Sequence, residues 1–375
     1  MLAAIALLIT IYSYTLTISG IVIQTKNNSK LSEVNIYAVK KNTGTTTDKD
    51  GRFKIDDCDP NDTIVFSSIG YESRKITTTQ LLDMKNIELI PYAYELNEIK
   101  ILSITPKELL KQVIENYSNN YSITPLKINC IYNEYILHQN QIISATLSEG
   151  ELCNYFTLKS ISGKQNKFIP KNIIKYSNHG KYSNRQYVSY YTLFNYSNLY
   201  PSLCTLLENI DQVKEYNISE SIIGNYKIYK LYLEGKQKTI LFIDQQSKAV
   251  IGLFRENKYN ETPTLLKNDT CGFISKKRIS SNTYISFRPY KGKWYLHAIK
   301  SSMEIEYSTQ NEKIAFEAKS IFQSSSISED NKLKIPKTAY ADLSQPIYNQ
   351  LKKFKSITIN SQPEIPETPS IDFYK

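Results

Sequence analysis

The chain has 375 residues, 41% hydrophobic and 22% charged, with 12 Gly and 13 Pro. This is a globular composition, long enough for two domains and for cores that need no disulfide staples. The formal net charge of +10 comes from 46 basic and 36 acidic side chains spread along the chain, and no basic stripe or recognition motif supports nucleic-acid binding.

The 30 tyrosines and frequent isoleucines lean the chain towards β structure, because both residue types suit pleated, half-buried surfaces. The five cysteines, Cys58, Cys130, Cys153, Cys204 and Cys271, form no C-x-x-C pair and have irregular spacing. They read as buried free thiols rather than a zinc knuckle or a complete disulfide framework.

Residues 1–15 are expected to be a signal or leader segment. Leu2 to Ile11 is an uncharged apolar run of signal-core length, too short to span a bilayer. A buried first strand or a disordered leader is the competing reading. Residues 16–102 then read as a chain of short strands: Ile18–Gln24, Val34–Val39, Arg52–Ile55, Thr63–Phe66, Glu72–Ile76, Asn86–Ile90 and Leu96–Ile101. Asn42–Thr46 reads as a loop, and Asp48-Lys-Asp-Gly51 as a tight turn. Regular short strands with polar turns predict a sandwich.

Five motifs in this stretch carry a family resemblance. They are Ile18-Ser-Gly-Ile-Val, Leu31-Ser-Glu-Val-Asn-Ile36, Gly44-Thr-Thr-Thr-Asp-Lys-Asp-Gly-Arg-Phe53, Asp62-Thr-Ile-Val-Phe-Ser-Ser-Ile-Gly-Tyr71 and Glu95-Leu-Asn-Glu-Ile99. In this order they resemble the carboxypeptidase-like regulatory domain. The resemblance implies a transthyretin-like β-sandwich and an exported, Gram-negative envelope setting. It implies structural roles for Gly51, Gly70, Phe53, Ile64, Phe66 and Tyr71, and no catalysis. Asp48 and Asp50 lack the further oxygen donors of a calcium loop.

Residues 103–120 predict a linking helix. Thr105 caps it, Pro106 suits its first position, Glu108 completes a capping box, and Leu109, Leu110, Val113, Ile114 and Tyr117 form one apolar stripe. From 121 to 330 the strand pattern returns. Hairpins are expected around His138-Gln-Asn140, Gln245-Gln-Ser-Lys248 and Pro289-Tyr-Lys-Gly-Lys293, giving a broad antiparallel sheet with one covered face. This region looks like the part that follows the regulatory domain in exported proteins. By pattern alone it is also similar to the half-barrel of periplasmic lipoprotein carriers. The expected fold is therefore mainly β: an N-terminal transthyretin-like sandwich, a short helix, then a larger antiparallel or half-barrel sheet domain. Residues 331–375, with Pro336, Pro346, Pro363, Pro366 and Pro369, read as an extended tail or strap.

Phe156–Leu207 is the least legible stretch. Its tyrosines Tyr187, Tyr190, Tyr191, Tyr196 and Tyr200 are a candidate binding surface, since tyrosine offers a flat apolar face and a polar tip. Loop and edge-strand roles explain them equally. His138, His179 and His297 have no ligand-spaced partners, which argues against a zinc carboxypeptidase. No nucleophile elbow, phosphate loop or dinucleotide fingerprint is present. Glu149/Glu151 and Glu304/Glu306 have the spacing of paired carboxylates, and also of ordinary surface acids.

No catalytic residue, metal or cofactor is expected. The expected function is a non-enzymatic envelope protein, periplasmic or outer-membrane associated, with a docking sandwich and a β-rich domain that binds a protein, glycan or lipid partner. The alternatives are a periplasmic lipid or lipoprotein carrier, or a hydrolase with a dispersed active site.

Overall fold

The computed structural model describes residues 16–90, 104–154, 167–178, 199–266, 272–329 and 340–363, less short interruptions at 26, 32–33, 41–42, 49, 69–70, 72–73, 123–125, 224–225, 342–346 and 360–361. The expected leader, the strand at Leu96–Ile101, Cys271 and His179 lie outside these residues. The chain divides into two compact units, Met1–Ala93 and Tyr94–Lys375.

The first unit is a β-sandwich. Its strands are β1 (Leu16–Gln24), β2 (Asn35–Ala38), β3 (Thr43–Thr46), β4 (Arg52–Cys58), β5 (Thr63–Ser67), β6 (Arg74–Thr77) and β7 (Asn86–Leu89), with helix α1 (Thr78–Leu82) between the last two. One sheet has the order β4-β1-β7 and the other β3-β2-β5-β6. Alternate residues point inward: Ile18, Val22, Phe53, Ile55, Ile87 and Leu89 from one sheet meet Ile36, Ala38, Ile64, Phe66 and Ile76 from the other. Phe53 and Phe66 meet edge to face across the core, with centroids 5.4 Å apart.

Asp48 makes the predicted turn. Its Oδ1 accepts the N–H groups of Asp50 and Arg52 at 2.9 and 2.8 Å, and Gly51 supplies a positive φ of 69°. Thr43–Thr46, expected as a loop, is strand β3. Its threonines favour the pleated conformation and it pairs with β2 throughout. Helix α1 was not expected; Thr77 and Gln80 form its capping box.

The second unit opens on helices α2 (Pro106–Glu115) and α3 (Tyr117–Asn120). The predicted capping box is present: Thr105 Oγ1 accepts the Glu108 N–H at 3.2 Å, and Glu108 Oε2 accepts the Thr105 N–H at 2.9 Å. Strands β8 (Leu126–His138), β9 (Gln141–Asn154) and β10 (Lys167–Ser177) follow, then helix α4 (Leu199–Glu208). After it come β11 (Glu215–Ile223), β12 (Tyr226–Glu234), β13 (Lys238–Asp244), β14 (Val250–Lys258), β15 (Thr264–Leu265), β16 (Ser275–Tyr290), β17 (Lys293–Ser308), β18 (Lys313–Glu329) and β19 (Ser356–Ile359).

These strands form one twelve-stranded sheet in the order β11-β12-β13-β14-β16-β17-β18-β8-β9-β10-β19, with β15 beside β16. Among the described residues its edge strands do not pair with each other, so the sheet is open. Every pairing is antiparallel except β10 with β19. The three predicted hairpins are present. Two have two-residue turns with positive φ at both positions, Gln139-Asn140 and Lys291-Gly292, whose twist suits adjoining antiparallel strands.

Described parts of the 331–375 segment meet this sheet: Ala341 bridges Phe168. A 3-10 helix spans Ile347–Lys353, and β19 then adds in parallel to β10. No helix of the described residues is long and apolar enough to cross a membrane.

Candidate functional site

Side chains two apart along a strand share a face, and directly paired residues on neighbouring strands share it too. Followed strand by strand, the pairings of the large sheet align one continuous row: Thr239, Arg255, Thr283, Ser301, Ser320, Glu134, Thr146 and Lys175, from β13 to β10. Eight consecutive strands therefore present a polar side chain at one level. Adjacent strands are about 4.8 Å apart, so the row is roughly 33 Å long along the sheet.

Apolar rows flank it on the same face. Two residues along each strand, towards the β16–β17 turn, lie Leu241, Leu253, Ile285, Ile299, Phe322 and Tyr132, all buried. On the other side, Met303, Ala318, Ile305, Phe316, Tyr307 and Ile314 form a core cluster with Phe273 and Ile143. The row is thus a polar stripe set into an apolar, buried face.

Its hydrogen bonding is incomplete. Thr283 and Ser301 pair through their hydroxyls at 3.2 Å. Glu134 accepts the Tyr132 hydroxyl at 3.0 Å. Thr239, Ser320 and Thr146 are each 1% exposed, and among the described residues their hydroxyl oxygens have no hydrogen-bond partner. A buried hydroxyl without a partner costs on the order of 1–3 kcal/mol. Native proteins rarely leave several along one line without a water or ligand to satisfy them. Two cations lie in the same row, Arg255 and Lys175, and Lys175 has no ion pair among the described residues. The stripe thus joins hydroxyls and two cations between buried apolar rows.

The opposite face carries ion pairs. Glu151 bridges Lys127 and Lys171 at 2.8 and 2.6 Å; burial would raise its carboxyl, but the two ammonium groups hold it below the usual range. Glu149 accepts from Asn172 at 2.8 Å. Glu306 bridges Lys277 and Lys313 at 3.4 and 3.2 Å, and Glu304 accepts from Ser280 at 3.3 Å. Both glutamate pairs thus have local structural partners.

Of the tyrosine surface, Tyr187, Tyr190, Tyr191 and Tyr196 lie outside the described residues. Tyr200 is half-buried on α4, edge to face with Tyr117 at 4.9 Å, while Tyr117 stacks on Tyr121 at 4.5 Å. Tyr121 in turn donates to Val250 O at 2.7 Å, fixing the helices to the sheet. Cys58, Cys130 and Cys153 are buried and unbridged, and burial pushes the Cys130 thiol well up, away from nucleophilic use. Among the described residues no three His, Cys, Asp or Glu side chains converge to hold a metal ion.

The polar row was not expected from sequence. Its members come from eight strands and its order is not chain order. Each member alone is an ordinary polar residue in a strand, so the register had to be known first.

Fold and site together define a two-unit β protein, a sandwich and an open sheet with a polar stripe on its buried face. Residues 18–101 match the CarboxypepD_reg-like domain family, as the motifs of the sandwich implied. No curated protein matches the chain. Among solved structures it is similar to a DUF1329 family protein from Desulfovibrio piger, at 8% identity over 61% of this chain and 94% of that one, with a TM-score of 0.27. It is also similar to a domain described as an outer membrane lipoprotein-sorting protein from Vibrio parahaemolyticus, at 9% identity, 60% and 93% coverage and a TM-score of 0.27. A LolA superfamily protein from Nitrosomonas europaea gives 12% identity, 64% and 99% coverage and a TM-score of 0.23. Likenesses this slight do not extend to function.

Proposed function

We propose that the chain is an exported, non-enzymatic binding protein of the cell envelope. The large sheet holds an elongated amphiphile of the lipid class along its polar row, and the sandwich serves as a docking module. The single observation that carries this reading is the set of three unpartnered, buried hydroxyls on one cross-strand row between apolar rows. A face meant only for packing gains nothing from buried polar groups that lack partners. An amphiphile satisfies both parts of the surface: its hydrocarbon covers the leucine and phenylalanine rows, and its polar groups meet the hydroxyls and cations.

The carrier form of this reading is favoured over capture of a protein partner, because the polar row is buried and a folded partner would need an exposed face. The test is a titration of the intact chain with dansyl-labelled undecanoic acid. Saturable binding at micromolar concentration is expected, with at least about tenfold loss in the triple variant Thr239→Val, Ser320→Ala, Thr146→Val, the equivalent of roughly 1.4 kcal/mol. Absence of saturable binding by the unaltered chain would sink the reading.

A further inference from the structure

We infer that the amphiphile taken by the large sheet is an anion, with its acid group held where Thr239, Arg255 and Thr283 meet and its hydrocarbon on the adjoining apolar row. This rests on the reading of the polar row as a ligand face.

The row carries two cations, and each stands directly across from a buried threonine: Arg255 from Thr239, and Lys175 from Thr146. Six strand spacings separate the two cations, roughly 29 Å along the sheet. Their surroundings differ. Thr146 is paired on its other side with Glu134, whose oxygens accept the Tyr132 hydroxyl and the Ile347 N–H. Lys175 and Glu134 are therefore two strand spacings apart, and for an incoming anion their opposite charges offset each other.

Arg255 has a different setting. Thr239 and Thr283 face it across the two ladders, and Leu253 and Asn257 lie two residues away on its own strand. None of these four neighbours is acidic. The carboxylate of the row, Glu134, lies four strand spacings from Arg255, roughly 19 Å along the sheet. An anion at this end is attracted by the guanidinium with far less opposition from Glu134.

This end also supplies donors suited to an oxyanion. A guanidinium holds five N–H groups in a planar fork that matches a carboxylate or phosphate, so it can meet a ligand oxygen alongside an internal partner. Across from it, the Thr239 hydroxyl has no hydrogen-bond partner among the described residues. Thr283 Oγ1 and Ser301 Oγ lie 3.2 Å apart, and either can be the donor. Two hydroxyls carry two hydrogens and that contact uses one, so the pair keeps one O–H to donate elsewhere. Beside these donors run Leu241, Leu253, Ile285 and Ile299, each buried, as the surface for the hydrocarbon.

The charge of the chain is biased the same way. The sandwich unit, residues 1–93, has ten basic and ten acidic side chains, whereas residues 94–375 have 36 and 26. The whole formal charge of +10 therefore belongs to the second unit, and a field of that sign draws anions towards it.

The experiment titrates the full chain with dansyl-labelled undecanoic acid and with its uncharged primary amide, and compares the two dissociation constants. The unaltered chain is expected to prefer the acid by at least about tenfold. Arg255→Gln is expected to bring the ratio close to unity while the affinity for the amide falls by less than about threefold. Both probes are read on the same sample, so a partly unfolded variant weakens both alike and leaves the ratio intact. Arg255→Lys, which keeps the charge and loses the fork, should give an intermediate ratio. Lys175→Met should lower the ratio by no more than about threefold. Equal affinity of the unaltered chain for acid and amide overturns the anion. A ratio that survives Arg255→Gln overturns the subsite, and its loss in Lys175→Met instead would put the acid group at the other end of the row. In each of these cases the ligand face stands. Displacement of the probe by acetate at matching concentration would make the subsite one for free anions and overturn the role of the hydrocarbon. Binding of neither probe by the unaltered chain removes the ligand face and the subsite with it.

Discussion

Among the described residues of the sandwich, the buried polar side chains Thr47, Asp62 and Thr78 each have hydrogen-bond partners. Thr47 accepts the Val34 N–H at 2.9 Å and donates to Leu31 O at 2.6 Å; Asp62 accepts from Lys40 and Thr63 N–H, both at 2.7 Å; Thr78 donates to Asp62 O at 3.0 Å. In the large sheet Thr146, Thr239 and Ser320 are as deeply buried and, among the described residues, have no such partners. The same residue types thus serve two ends. In the first unit a buried hydroxyl ties a loop to a strand, which suits a scaffold. In the second it sits on a polar row where, among the described residues, no such partner reaches it. The contrast predicts that damage to the sandwich appears as lost stability, and damage to the row as lost binding.

The largest expected effect tests the scaffold half. Phe66 is fully buried and meets Phe53 across the two sheets. Phe66→Ala removes an aromatic from a closed core and is expected to cost about 3–5 kcal/mol of the sandwich's stability. Chemical denaturation followed by hydrogen exchange would place the loss in residues 16–90. Equal loss in the large sheet would mean that the two units unfold as one, and the comparison would lose its meaning.

Acid should act on the other unit. His138, His179 and His297 all follow residue 94, so the sandwich has no group that ordinarily titrates near pH 6.5. Burial, and secondarily the Arg288 guanidinium, lower His297 to about 3, while its Nδ1 lies 3.4 Å from Ser324 Oγ. The unfolded chain therefore takes up a proton below about pH 6.5 that the folded sheet refuses until about pH 3. Stability falls with pH through that window, by roughly 1–2 kcal/mol at pH 5 relative to pH 8. Thermal unfolding of the large sheet between pH 8 and 5 should show this slope, and His297→Asn should flatten it. A slope that survives the substitution would assign the acid sensitivity elsewhere.

Much of this architecture could be read from local chemistry. The Asp48 turn, the Thr105–Glu108 capping box and the hairpins at Gln139-Asn140 and Lys291-Gly292 each depend on a few adjacent residues, and each is where the sequence placed it. Elements that depend on distant partners were harder to read. Strand β10 carries Pro170, Lys171 and Asn172 at a register shift, which hides its alternation. Strand β19 exists through parallel pairing to β10, nearly two hundred residues earlier. The polar row is the extreme case, because neighbours in it such as Ser320 and Glu134 are brought together only by the sheet order. The sandwich is legible because its motifs are local and its core alternates within each strand. The candidate site is a property of register, which no single stretch of sequence encodes.

The smallest expected change in stability is the sharpest test of the difference between the units. Thr→Val keeps the side-chain shape and deletes the hydroxyl. At Thr47 that deletion strands the Val34 N–H and removes the donor to Leu31 O, so Thr47→Val should cost about 1–3 kcal/mol. At Thr239 and Thr146 no internal partner is stranded, and the buried hydroxyl was itself a cost. There the same replacement should lie within about 1 kcal/mol of neutral, on the stabilising side. Midpoints of urea unfolding measure all three. Had the row hydroxyls been structural, satisfied by ordered water as part of the fold, Thr239→Val and Thr146→Val would destabilise as Thr47→Val does, since removing such water is costly. Near-neutral stability combined with weakened amphiphile binding is the joint outcome that separates a ligand surface from a packing surface, because a face used only for packing can lose an unpartnered hydroxyl at no cost to the fold but has no binding to lose with it.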